Sequence, residues 1–167
     1  AIVKMAKNEV PGDMEVRQGD IFLQDDKFVA AVQKFDEALQ VQPDHRGALG
    51  GKAVALMALK RDPEAEDLLG YMINKLGATV SDDDPTGTGA LSAAYANRGI
   101  LRDRQGRYQE ALDDYIEAIK IDYDLAEGPG WIEHLLYYEK KPSSVLARAE
   151  YLYKQLKLPE SERLMRV

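Results

Sequence analysis

The chain contains no cysteine, and it has only 2 histidines and 1 tryptophan in 167 residues. The absence of cysteine excludes disulfides, cysteine-ligated zinc and thiol catalysis. No apolar run approaches the ~18 residues that a membrane span requires. Basic residues are outnumbered by acidic ones, 22 against 29, which gives a net charge of −7. This charge argues against nucleic acid or an anionic membrane as the partner, because both bind basic surfaces.

The sequence also lacks a recognisable catalytic or metal-binding motif. His45 and His134 have no serine, aspartate or metal ligand at a usable interval. Glu133 precedes His134, but the spacing of a zinc protease helix is absent. The acidic run at residues 82–84 could bind a hard cation, yet it lacks the spacing of a calcium loop and is read as a solvated loop. We therefore expect no enzyme activity, no cofactor and no metal.

One run of small and aromatic residues occurs twice, with the same intervals of 12, 4, 3 and 5 residues. The first run is Gly19, Ala31, Phe35, Ala38 and Pro43. The second run is Gly99, Ala111, Tyr115, Ala118 and Tyr123. A fixed internal period indicates a fold built from copies of one small unit. The small residues are expected where antiparallel helices approach closely, with the aromatic rings filling the space beside them.

This spacing resembles the tetratricopeptide repeat (TPR), a 34-residue helix–turn–helix that has small, aromatic and proline residues at fixed positions. Two weaker copies are also present. The second copy contains Leu49, Ala53, Leu56, Ala65, Leu69 and Met72. The fourth contains Trp131, Tyr138, Ala147, Tyr151 and Pro159. The resemblance implies an all-α fold, a right-handed α-solenoid of stacked helix–turn–helix repeats.

The repeat register predicts the domain organisation. Residues 1–11 are an N-terminal extension, 12–161 a single TPR domain, and 162–167 the start of a C-terminal capping helix or a truncated end. The repeats are expected at 12–45, 46–79, 92–125 and 128–161, with an inserted loop at 80–91. Helices are predicted at 13–24, 27–41, 46–60, 63–76, 89–105, 107–121, 128–140 and 143–157. The pair Asp62-Pro63 is a typical helix start, with a capping side chain and a proline in the first turn.

The resemblance implies a function in protein–protein interaction. We expect a non-catalytic scaffold or adaptor, chaperone-like, that binds a partner peptide or helix in the concave groove of the array. The alternative is a structural subunit that assembles with itself or within a complex through its end faces. The expected groove residues are Arg17, Asp20, Gln24, Gly47, Gly50, Gly51, Val54, Asn97, Ile100, Asp103, Arg104 and Glu133. We expect a soluble protein, cytoplasmic rather than periplasmic, with no membrane insertion and a possible homo-oligomer.

Three features of this surface leave alternatives open. Gly47, Gly50 and Gly51 either let a ligand backbone approach or lie at a tight helix crossing, since each costs a helix about 1 kcal/mol. The residues at 80–91 either form a solvated loop or fold over the groove. Tyrosines off the core register, with Trp131, either form an exposed aromatic patch or pack under the last residues. These tyrosines are Tyr137 and Tyr153, and the last residues include Leu164 and Met165.

The resemblance also allows one sub-family to be excluded. TPR co-chaperones that bind the terminal carboxylates of heat-shock proteins use Lys, Asn and Arg side chains on the groove. The matching places are occupied by Val16, Asp20, Gly51, Ala93 and Asn97. Only Asn97 fits that chemistry, and Asp20 would repel a carboxylate. The sequence therefore predicts that this chain does not bind heat-shock carboxylates.

Overall fold

The computed structural model describes residues 9–123 and 144–165, and in these ranges the chain forms seven α-helices and no β-strand. The helices are α1 (Asp13–Gln24), α2 (Phe28–Val41), α3 (Arg46–Ala58), α4 (Asp62–Thr79), α5 (Pro85–Arg104), α6 (Tyr108–Tyr123) and α7 (Ser144–Leu156). A 3-10 turn, Glu160–Glu162, follows α7. The predicted all-α fold of helical repeats is confirmed. The helix predicted at 128–140 lies outside the described residues.

The chain divides into two units, residues 1–72 and 73–167. In the first unit the ring of Phe35 on α2 is fully buried between two glycines. A Cβ atom at Gly19 on α1 would lie 2.6 Å from Cε1 of this ring, and one at Gly51 on α3 would lie 2.3 Å from its Cζ. Both distances are below van der Waals contact, so only glycine at both positions lets α1 and α3 pack directly on the ring.

The second unit repeats this arrangement. Gly99 on α5 faces Tyr115 on α6, and a Cβ atom at Gly99 would lie 2.8 Å from Cδ1 of the tyrosine ring. The core of the unit joins α6 to α7 through one cluster of buried side chains. Its members are Ala111, Leu112, Tyr115, Ile119, Leu146, Ala149 and Leu152. The predicted register of the third repeat therefore places its small and aromatic residues correctly.

The turns within three helix pairs share one backbone conformation. Asp26, Lys60 and Gly106 occupy equivalent repeat positions and have φ angles of 57°, 60° and 79°. In each turn the following amide donates to the carbonyl five residues earlier, as Lys27 does to Phe22 at 2.8 Å. This pattern satisfies carbonyls that a helix end leaves without partners. The same closing motif thus joins α1 to α2, α3 to α4 and α5 to α6.

The predicted inserted loop at 80–91 is mostly helical, and this prediction was wrong in its extent. Only residues 80–84 connect the helices, because α5 begins at Pro85. The Asp84 carboxylate accepts a hydrogen bond from the Gly87 amide at 3.0 Å, and proline at the first helical position needs no partner for an N–H. Residues 85–91 therefore form about two additional turns of α5.

The structure also differs from the α-helix that was expected to start at residue 162. The chain forms the short 3-10 turn Glu160–Glu162, and Arg163 then adopts an extended conformation with φ −76° and ψ 134°. The Arg163 guanidinium donates to the carbonyls of Leu158 at 2.9 Å and Leu156 at 3.2 Å. An arginine at this position compensates the negative end of the α7 dipole. The extended backbone beyond it is therefore held against the end of α7.

Candidate functional site

An open cleft of about 390 Å³ lies in the second unit. It is lined by Ile100, Asp103 and Arg104 on α5, Tyr115 on α6 and Arg148 on α7. Asp103 and Arg104 follow Ile100 by three and four residues, about one helical turn, which places them next to it on one side of that helix. Ile100 exposes 37% of its surface, and is thus an apolar contact accessible from solvent. Three of the predicted groove residues are therefore brought together here.

The Asp103 carboxylate is fixed by two neighbours. Arg148 donates to it from Nε at 2.7 Å and from Nη2 at 2.8 Å, and the Tyr115 hydroxyl donates at 3.0 Å. The hydrogen bond to Asp103 raises the pKa of Arg148, so its guanidinium stays charged. Burial, followed by the charge of Asp103, raises the pKa of Tyr115 and keeps its hydroxyl protonated as a donor. Asp103 therefore supports the cleft structurally by linking three helices.

The sequence analysis did not find Arg148 as a cleft residue. It lies one position after Ala147, on the helix predicted at 143–157, to which no groove residue was assigned. Tyr115 was assigned only to the core, because the repeat pattern requires a ring there. The one signal in the sequence was the hydroxyl at a position where the first copy has phenylalanine.

A second charged cluster joins α5 to α6 beside the cleft. Asp114 is almost fully buried, and its carboxylate accepts bonds from Arg98 at 2.8 and 2.9 Å and from Arg102 at 3.0 Å. The guanidinium of Arg98 also lies 5.7 Å from the centre of the Tyr95 ring. The hydrogen bonds and positive charges of the two arginines offset the free-energy cost of removing the Asp114 carboxylate from water. The cluster is therefore a support for α5, which carries the cleft residues.

The predicted α1 residues share one solvent-exposed face in the first unit. Arg17, Asp20 and Gln24 are all exposed, and Arg17 pairs with Glu9 at 3.0 Å. Both partners of that pair are more than half exposed, so the pair contributes little to stability. Desolvation by the surrounding protein raises the pKa of Asp20. This face is thus accessible, and one of its carboxyls is already poorly hydrated.

The predicted α3 glycines have different environments. Gly51 faces the Phe35 ring, which favours the alternative that it lies at a tight helix crossing. A Cβ atom at Gly47 would lie 3.2 Å from both Val16 and His45, which is also a packed position. At Gly50 a Cβ atom would meet only Met72, at 3.9 Å. Of the three, Gly50 is the one that leaves room beside the backbone.

Three further predicted residues complete this comparison. Val54 on α3 is 43% exposed, and Asn97 on α5 is half-buried. Glu133 lies outside the described residues, as do Trp131 and Tyr137 of the expected aromatic patch. Tyr153 is half-buried against the α6–α7 cluster, with Lys157 Nζ at 4.1 Å from the centre of its ring.

His45 has a structural role that the sequence did not reveal. Its Nδ1 accepts a hydrogen bond from the Ala48 amide at 3.3 Å, so the side chain caps the N-terminus of α3. Its Nε2 lies 2.5 Å from Asp13 Oδ1, and Asp13 in turn accepts from the Val10 amide at 2.9 Å. The hydrogen bond from His45 lowers the pKa of Asp13. One pair thus links the start of α1 to the start of α3.

Within residues 9–123 and 144–165, no group of three histidine or acidic side chains is arranged to hold a metal ion. None of the helices described there is long and apolar enough to cross a membrane.

The fold and its glycine–aromatic packing define a protein of paired antiparallel helices in tandem repeats. Two family models, both described as tetratricopeptide repeat, match residues 22–72 and 92–122. These parts of the chain are therefore tetratricopeptide repeats. The match at 92–122 lies within the repeat predicted at 92–125, and the match at 22–72 spans parts of the repeats predicted at 12–45 and 46–79.

Solved TPR domains have the same fold. The first TPR of Spaghetti (RPAP3), bound to the HSP90 peptide SRMEEVD, is 14% identical, with a TM-score of 0.62 over 87% of this chain and 93% of that one. The Arabidopsis OM64 TPR domain is 19% identical, with a TM-score of 0.60 over 86% of this chain and 95% of that one. The first TPR domain of human RPAP3, determined by NMR, is 15% identical, with a TM-score of 0.55 over 86% and 93%. No curated protein matches the sequence.

Proposed function

We propose that this protein is a non-catalytic interaction module whose first-helix surfaces bind an extended peptide or a helix of a partner protein. The observation that carries the proposal is the cleft of the second unit, where Ile100 is accessible above a fixed Asp103–Arg148 pair. A solved TPR domain of similar fold holds a peptide. That likeness supports a peptide as the ligand, and the side chains of this chain determine which peptide residues can bind.

The cleft is suited to binding because its charged residues are already in place. Asp103 is fixed by three hydrogen bonds, so the floor of the cleft loses little conformational freedom when a ligand arrives. An apolar ligand side chain over Ile100 would remove exposed apolar surface from water, at about 25 cal/mol per Å². We therefore infer a ligand that places an apolar side chain here.

The chemistry of the first unit argues against a heat-shock carboxylate as the ligand. At the positions expected to hold such a carboxylate, Val16 is buried and Gly51 packs on Phe35. Asp20 is an acid whose hydration is already reduced, and a second carboxylate beside it would be repelled. We expect the peptide SRMEEVD to show no binding by isothermal titration calorimetry. Micromolar binding would contradict this assignment.

The proposal is tested with peptides selected against the protein from a random phage-displayed library. Peptide affinity is measured by fluorescence anisotropy for the natural chain and for Ile100→Glu, which places a charge in the apolar part of the cleft. We expect at least about a tenfold loss, equal to ~1.4 kcal/mol. The control is Val29→Glu, which places the same charge at a more exposed apolar residue on α2 outside the cleft. No selected binder, or the same affinity for both variants, would contradict the proposal.

A second candidate function is self-assembly through the first helix. Val10, Met14 and Ile21 expose 48%, 57% and 57% of their surfaces, and Arg17 lies between them on the same face. Met14 and Ile21 lie two turns apart on one side of α1 and form an apolar stripe, and Val10 lies just before the start of the helix. Light scattering over a range of concentrations tests this alternative. A second copy bound by this stripe predicts a dimer that Met14→Asp dissociates, and a monomer at high concentration contradicts it.

A further inference from the structure

After the 3-10 turn, residues 163–165 run back along α7 as an extended segment. Three polar side chains of α7, spaced over two turns, face the backbone of this segment: Arg148, Tyr151 and Gln155. We call them the α7 face. Gln155 accepts a bond from the Leu164 amide at 2.8 Å, and the Tyr151 hydroxyl donates to the Leu164 carbonyl. Arg148 Nη2 donates to the Met165 carbonyl at 2.7 Å.

These three hydrogen bonds all go to main-chain atoms of the segment. Main-chain bonds of this kind do not depend on the identity of the bound side chains, which is how extended peptides are held in many recognition sites. The Leu164 side chain points to solvent and is 67% exposed, so it makes little contact. The Met165 side chain, by contrast, packs against the buried α6–α7 cluster. Alternation of this kind is typical of an extended chain that presents every second residue.

We propose that the α7 face is a second peptide-binding site, which this chain occupies with its own residues 163–165. The ligand that it fits is an extended protein segment with an apolar side chain at the position of Met165. Main-chain bonds to Tyr151 and Gln155 hold such a segment, and the apolar cluster behind Met165 selects the side chain. This site shares Arg148 with the cleft proposed around Ile100, but its other residues, Tyr151 and Gln155, do not line that cleft.

Covalent connection gives the chain's own segment a large advantage over a free peptide. A short linker of a few residues corresponds to an effective concentration in the millimolar range. A peptide with the same sequence therefore binds the natural chain only weakly until the internal segment is released. Two features of the internal segment can be removed separately: the apolar Met165 side chain and the Leu164 amide hydrogen.

The experiment uses the full chain and a fluorescent peptide with the sequence of residues 160–167. Peptide binding is measured by anisotropy for the natural chain and for two release variants, Met165→Asp and Leu164→Pro. We expect each release variant to bind the peptide at least about tenfold more tightly than the natural chain. Leu164→Ala is the matched control, because it keeps the amide and removes only an exposed side chain. Its affinity is expected to equal that of the natural chain.

A second substitution locates the peptide on the α7 face. Tyr151→Phe in the Leu164→Pro background removes the hydroxyl that donates to the segment, and the gained peptide affinity is expected to fall. Helicity, measured by circular dichroism, distinguishes a displaceable ligand from a structural cap. Loss of helicity in both release variants, no gain in affinity, or binding unaffected by Tyr151→Phe would each overturn the proposal. Gln155→Ala separates the two proposed sites, because Gln155 accepts from the segment and does not line the cleft: it is expected to weaken this binding and to leave binding at Ile100 unchanged.

Discussion

Phe35 in the first unit and Tyr115 in the second occupy the same repeat position, yet they contact different kinds of atoms. Phe35 is fully buried and packs against Gly19 and Gly51, with no polar partner. Tyr115 packs against Gly99 in the same manner, but its hydroxyl also donates to Asp103. The repeat thus requires only an aromatic ring at this position. The hydroxyl group of Tyr115 adds a hydrogen bond that connects the core of the second unit to its cleft.

The difference extends to the charged residues around each ring. Eighty residues separate equivalent positions in the two repeats, as Gly19 and Gly99 show. The second unit has Arg98, Arg102, Asp103 and Asp114 where the first has Gln18, Phe22, Leu23 and Lys34. One helix pair is therefore held by apolar packing, and its counterpart is held by similar packing with a buried ionic cluster. Four predicted effects test this comparison.

The largest expected effect is in the ionic cluster. Asp114→Ala leaves Arg98 and Arg102 without their shared carboxylate, with only about a fifth of each side chain exposed. Breaking a buried pair in this way costs about 3–5 kcal/mol, measured by urea denaturation. The control is Lys34→Ala at the equivalent position of the first unit, where Lys34 pairs with Glu37 on the surface and about 0.5 kcal/mol or less is expected. Equal losses of unfolding free energy in the two variants would show that the buried cluster stabilises the fold no more than the surface pair does.

The next effect concerns the glycines that accept the ring of the first unit. Gly51→Leu forces a side chain into the space of Phe35, and overpacking of this kind costs about 1–3 kcal/mol. Gly77→Leu is the control, because a Cβ atom at Gly77 meets nothing within 4 Å in the same kind of helical backbone. Melting temperatures measure both. An unchanged melting temperature for Gly51→Leu would mean that α3 does not need glycine to pack on the ring.

A smaller effect compares the turns of the two units. Lys60 adopts a left-handed conformation that Gly106 adopts in the second unit, and this conformation is strained for a residue with a Cβ atom. Lys60→Gly is expected to stabilise the protein by about 0.5–1 kcal/mol, since relief of strain exceeds the added freedom of the unfolded chain. Gly106→Ala is expected to destabilise it by about 1 kcal/mol. Chemical denaturation measures both, and a loss on Lys60→Gly contradicts the shared turn geometry.

The smallest effect is the pH dependence of the first unit. The pKa of Asp13 is lowered in the folded state, chiefly by its hydrogen bond with His45. Its stabilising contribution is therefore complete above the unfolded carboxyl pKa of about 4 and is lost as pH falls through the lower folded value. We expect Asp13→Asn to reduce the melting temperature at neutral pH and to match the natural chain in strong acid. A difference that does not change with pH would exclude this pair as its source.

The sequence predicted the parts of this structure that depend on backbone packing. The intervals from Gly19 and Gly99 located both rings, because close helix contact restricts those positions to small residues. It did not predict the contact between Asp103 and Arg148, which are 45 residues apart. Long charged side chains can reach partners on several helices, so periodicity does not specify which partner they meet. The sequence also included Gly51 among the expected groove residues. A sequence pattern gives the position of a residue on its helix, but it does not show that the Phe35 ring packs against that position.

The start of α5 at Pro85 has a consequence for how this repeat tolerates added length. With 20 residues against 12 in α1, the helix is about 12 Å longer at 1.5 Å per residue. The eight additional residues make about two turns at the N-terminal end of α5, so the rest of the helix keeps the same side toward its neighbour. Its added peptide groups bond within the rod itself rather than requiring partners elsewhere. The inserted residues therefore lengthen α5 at its N-terminal end and leave the positions of Gly99 and Asp103 on the helix unchanged.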